Sequence, residues 1–113
     1  MRLVQIGGVE YPYVFGMGAL MIYESLMGRS LSLEKDDFTA TQLVAIHYAC
    51  LCNGGAEFSS SVAEFTQKLD DPKLVVALRD AFMAELERWR SRNSSEDEGD
   101  DESANDGEKS KKN

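Results

Sequence analysis

The sequence is short of most residues that catalysis and metal binding draw on. It has one histidine, two cysteines, one tryptophan and two prolines in 113 residues. Two cysteines, in a chain whose N-terminus shows no basic segment followed by an apolar core, fit reduced thiols better than a disulfide framework, and the expected location is the cytoplasm. No apolar run approaches the ~20 residues of a membrane-spanning helix. Positive charge is scarce as well: 12 Lys/Arg stand against 20 Asp/Glu, for a net charge of -8. A phosphate backbone repels such a chain, so neither nucleic acid nor membrane is an expected partner.

The charge is unevenly placed. Residues 1–92 carry nine basic and twelve acidic side chains, whereas 93–113 carry three and eight. The sequence thus divides into one small domain over 1–92 and an acidic tail over 93–113 ending in Lys109, Lys111 and Lys112. The tail has no apolar period and is predicted to be disordered.

A strand pattern runs into a helix pattern at the start of the chain. Gly7-Gly8 lies between Leu3-Val4-Gln5-Ile6 and the run from Val9 to Phe15, which is the placing of a two-residue hairpin turn. That turn sets Ile6 opposite Val9, Val4 opposite Tyr11 and Arg2 opposite Tyr13, leaving Gln5 and Glu10 on the other face. Pro12 cannot donate to a ladder and assigns its strand to an edge. A two-stranded ribbon is marginal alone, so helices must cover its apolar face.

Four helices are predicted after the hairpin. Ala19–Met27 is apolar nearly all round, which implies a largely buried helix, and Gly28 follows where a left-handed cap belongs. Thr39 and Gln42 form a capping box, with Phe38 and Leu43 at the staple positions, for a helix that ends at Asn53-Gly54-Gly55. Ser61 and Glu64 form a second box before a shorter helix whose apolar face is Val62, Phe65 and Leu69. Asp70-Asp71-Pro72 then opens a helix carrying Val75, Leu78, Phe82, Leu86 and Trp89 at steps of three and four, with Arg79, Asp80, Glu85, Glu87 and Arg88 on its other faces and its end near Arg92. The fold class is α+β, mainly helical.

Candidate chemistry is sparse. His47 and Cys50 share a helical face, but two residues do not complete a tetrahedral metal site, and Cys52 points elsewhere. A Cys-His nucleophile would also need an orienting group and an oxyanion donor, so packing is the expected role of both and no catalytic, metal or cofactor residue is assigned. Gly16-Met17-Gly18 begins a dinucleotide-binding pattern, but Met21 occupies the third glycine position. The acidic pairs Asp36-Asp37 and Asp70-Asp71 stand at helix starts, where a carboxylate favours the helix dipole. Met17, Met21, Met27 and Met83 are expected chiefly to fill core space; a flexible binding surface is the other use of such thioethers.

The glycine turn, the Tyr11-Pro12 pair, the run Phe15-Gly16-Met17-Gly18-Ala19-Leu20 and the helix ending Met27-Gly28 resemble the small tail assembly chaperones of long-tailed bacteriophages and prophages, over the first third of the chain. The resemblance implies a binding protein rather than an enzyme. Its partners would be the long helical tape measure protein, held soluble in the host cytoplasm, and the tail tube protein, with self-association also open. The residues expected to meet the partner are Tyr11, Tyr13, Phe15, Met17 and Met21. Two other classes remain: a small adaptor or regulatory protein-binding module, and a small Cys/His enzyme.

Overall fold

In the computed structural model, which describes residues 2–32, 37–55 and 58–98 with the side chains of 93–98 left out, two strands precede four helices: β1 (Arg2–Ile6), β2 (Val9–Tyr13), α1 (Met17–Met27), α2 (Ala40–Gly54), α3 (Val62–Lys68) and α4 (Pro72–Glu98). The strands form an antiparallel hairpin with Arg2 opposite Tyr13, Val4 opposite Tyr11 and Ile6 opposite Val9, the expected register. Gly7 and Gly8 supply φ of 62° and 82°, a tight turn that L side chains rarely enter. Because hydrogen-bonded and open pairs alternate outward from such a turn, Pro12 falls in an open pair with Leu3. Its missing N–H therefore removes no ladder bond.

β2 ends at Tyr13, opposite Arg2 and two residues short of the predicted Phe15. Val14 and Phe15 turn their backbone groups to the helices instead. The Val14 amide donates to the Cys50 carbonyl at 3.1 Å, Asn53 Nδ2 donates to the Val14 carbonyl at 3.0 Å, and the Phe15 amide donates to Glu85 Oε1 at 3.1 Å. Buried backbone groups must find partners, and here α2 and α4 provide them within the space of two residues. The end of α2 comes so close to β2 that a Cβ on Gly54 would stand 2.7 Å from the Pro12 carbonyl carbon, which only glycine permits.

Local signals explain the helix starts. Thr39 and Gln42 exchange both capping-box bonds, at 3.1 and 2.8 Å, and Ser61 and Glu64 do the same at 3.1 and 3.1 Å. Asp71 accepts from the Lys73 amide at 3.0 Å and Pro72 begins α4. Thr39→Ala is expected to lower stability by about 1 kcal/mol, since it leaves the Gln42 amide without its side-chain acceptor. Urea unfolding measures this, and an unchanged midpoint would remove the cap from the account.

The core joins Val4, Ile6, Tyr13 and Phe15 of the hairpin and link to Ala19 and Tyr23 of α1, Ala45, Ile46, Ala49, Cys50 and Leu51 of α2, and Leu74, Leu78, Ala81, Phe82 and Leu86 of α4. Edge-on aromatic pairs fill it, with Phe15 meeting Phe82 and Trp89 at 5.8 and 5.6 Å. A second aromatic group, Tyr11, Tyr48, Phe58 and Phe65, closes the α2–α3 end.

Three expectations are corrected. α1 is not largely buried: it packs along α2 on one side, and among the described residues no element covers Met17, Met21 and Leu26 on the other. The α4 stripe keeps Leu78, Phe82, Leu86 and the half-buried Trp89 and adds Leu74, Ala81 and Glu85, while Val75 is 40 % exposed. α4 also continues past Arg92 to Glu98, as propagation of an established helix adds one hydrogen bond per residue without needing an apolar face. Residues 99–113, where most of the predicted tail falls, lie outside the described residues.

Candidate functional site

Two places stand out: a buried polar cluster between the hairpin and two helices, and the outer side of α1. The cluster begins with Tyr13, whose alternation on β2 points it inward onto α2. Its hydroxyl lies 2.7 Å from Nδ1 of His47, and the imidazole edge meets the Phe82 ring at 6.2 Å. Cys50, one turn along α2 on the same face, places its thiol beside the phenol. Glu85 completes the group from α4. Its carboxylate accepts from the Phe15 amide and from Arg88, whose Nε and second terminal nitrogen reach its two oxygens at 3.2 and 2.9 Å.

Burial governs the charges. It pushes the Tyr13 phenol well above its ordinary value, with the Cys50 thiol and the Glu85 carboxylate adding to the shift. It lowers His47 from 6.5 to about 4, so the ring is neutral at pH 7. With the phenol protonated and the imidazole neutral, the pair shares one hydrogen bond whose donor is set by the imidazole tautomer. Burial raises the Cys50 thiol to about 12, partly opposed by its hydrogen bond with Tyr13, and the Glu85 charge raises it further. At neutral pH Cys50 is a protonated thiol with no exposed surface. Glu85 behaves differently: burial would raise it, but the hydrogen bonds from Arg88 and the Phe15 amide, with the Arg88 charge, prevail and hold it below the ordinary carboxylate value. The one ionised member of the cluster is thus a carboxylate 1 % exposed, paired to an arginine on the next turn.

His47 and Cys50 therefore share a face, as their spacing implies, and the third partner is a tyrosine from the hairpin. Among the described residues no three His, Cys, Asp or Glu side chains gather as a metal site. Glu85 was missed in the sequence. It occupies the position between Phe82 and Trp89 in the step of three and four residues, so a charge inside an apolar stripe, with Arg88 three residues on, was the available signal.

The five residues expected at a partner surface divide sharply. Tyr13 and Phe15 are fully buried and cannot be contact residues in this state, because the core face of the hairpin is covered by α2 and α4. Tyr11 is half-buried and its ring meets Phe58 edge-on at 5.3 Å. Met17 and Met21, one turn apart on α1, are 64 % and 65 % exposed. Nearby, the seam between the end of α1 and the start of α2 opens into an apolar cleft of about 390 Å³ lined by Leu26, Met27, Val44 and Val62 among others.

Compared with family descriptions, curated proteins and solved structures, the chain matches none. The site must be read from its own chemistry. The polar cluster joins elements of the fold and offers no exposed ionised group, whereas α1 presents apolar side chains to solvent. No helix among the described residues is long and apolar enough to cross a membrane.

Proposed function

We propose that the chain is a binding module that holds an apolar helical partner in solution, in the manner of a phage tail assembly chaperone acting on the tape measure protein. The observation that supports this is the composition of α1. Its eleven residues, MGALMIYESLM, include a single charge, Glu24, although one side of the helix faces solvent. A surface helix normally carries charged residues on its outer face. One that carries methionines there suits a second apolar helix, since unbranched thioethers adapt to varied shapes. The contact residues in this reading are Met17 and Met21, with Leu26 at the cleft. Tail tube recruitment and self-association would use other surfaces of the domain, in the bacterial cytoplasm.

Co-expression with the long helical protein of the same gene cluster tests the reading. The wild-type chain should bring that protein into the soluble fraction and be recovered with it. The double variant Met17→Asp/Met21→Asp, which alters only exposed positions and so remains folded, should lose at least tenfold in capture, as expected when apolar anchors carry binding. Undiminished capture by the folded variant would remove α1 from the interface.

A further inference from the structure

We infer that α1 is a hinged flap that opens away from α2 while the buried α2 and α4 stay in place. Three independent features of the closed position support this. The Tyr23 hydroxyl is wholly buried in the core, yet it finds no hydrogen-bond partner among the described residues. A hydroxyl buried in that way has given up water for nothing, so the closed state bears a penalty that opening relieves. The seam also runs out into an open apolar cleft of about 390 Å³ that Leu26 and Met27 of α1 share with Val44 and Ala45 of α2 and with Val62 and Thr66 of α3. The start of α1 also lacks a side-chain cap. Gly16 stands at that position, whereas α2 and α3 each begin with a complete capping box.

The attachments of the flap are equally specific. The link before it is fastened through Val14 and Phe15 to Cys50, Asn53 and Glu85, so the opening cannot spread into the hairpin without breaking those bonds. Beyond that point α1 packs chiefly along α2. Rotation about the Gly16 end would bare the inward side chains Ala19, Leu20, Tyr23 and Met27, together with the α2 surface beneath them. Tyr23 would then reach water. An apolar helical segment could occupy both surfaces, and in that respect alone the inference rests on the binding function proposed above.

Hydrogen–deuterium exchange on the full chain without partner tests the opening separately from partner binding. Amides in the middle of α1 are expected to exchange at least tenfold faster than those in the buried middle of α2 and of α4, as a locally opening unit does. Tyr23→Phe removes the unsatisfied hydroxyl while keeping the ring. It is expected to slow α1 exchange about tenfold while leaving α4 unchanged, since the penalty bears on closure of the flap alone. Exchange in α1 as slow as in α2 would overturn the inference. So would a Tyr23→Phe variant in which α1 exchanges as fast as, or faster than, in the wild type, because the hydroxyl would then be satisfied in the closed state.

Discussion

Glu85→Ala is expected to destabilise the domain by about 2–3 kcal/mol, the largest effect of any polar substitution proposed for this chain. The carboxylate is buried, it receives the Phe15 amide at 3.1 Å, and it pairs with Arg88 through both oxygens. Alanine leaves the Phe15 N–H without an acceptor in the core and removes the group that holds the link against α4. Glu85→Gln keeps an oxygen for that N–H but loses the charge facing Arg88, so roughly half of the loss is expected. Urea unfolding at pH 7 gives both values. A loss below about 1 kcal/mol for the alanine variant would mean that water or a rearranged link replaces the carboxylate, and Glu85 would lose its role in fastening the link to α4.

Acid should weaken the domain in a defined window. The folded-state value for His47 is about 4 against 6.5 when unfolded, so between those limits the unfolded chain binds a proton that the folded chain refuses. Stability is therefore complete above pH 6.5, falls as pH drops, and levels off below about 4, with roughly 3 kcal/mol lost in all and about 2 of it by pH 5. In the protonated ring both nitrogens are donors, so Nδ1 can then only donate to the Tyr13 oxygen. Glu85 acts in the same direction but lower: its depressed value means its contribution is present above about pH 4.5 and lost only as pH falls through its folded value. Unfolding midpoints at pH 7.5, 6 and 5 separate the two. In His47→Gln the decline between pH 7.5 and 5 should largely vanish, and an equal decline in that variant would place the effect on other groups.

Local signals predicted this fold well wherever a backbone demand picks out a residue type. Gly7-Gly8 determined the strand register, and Thr39/Gln42, Ser61/Glu64 and Asp71-Pro72 marked three helix starts, because capping and turn chemistry act within a few residues. What depends on distant parts of the chain was harder to read. The interior places of Tyr13 and Phe15 follow from how α2 and α4 lie against the hairpin, and periodicity alone does not say which side of an apolar strand or helix is finally covered. Phe58 belongs to no periodic segment and is buried only because Tyr11, Tyr48 and Phe65 converge on it. The exposed methionines of α1 were legible as a composition without charge, but one apolar side is covered by α2 and the other is not, and sequence treats both alike.

The fastening of the link has a consequence for how the chain folds. Its side-chain bonds join residues 34, 39 and 70 positions apart, from Tyr13 to His47, Asn53 to Val14 and Phe15 to Glu85. The hairpin turn and the helix caps can form early from neighbouring residues, but these bonds are complete only when both α2 and α4 have met the link. Their completion should therefore come late and the domain should unfold in a single cooperative step apart from α1. During synthesis the hairpin would keep the part of its apolar face that α4 covers exposed after α2 had docked, so the interval between translating Phe15 and Glu85 is when the chain is most prone to aggregate.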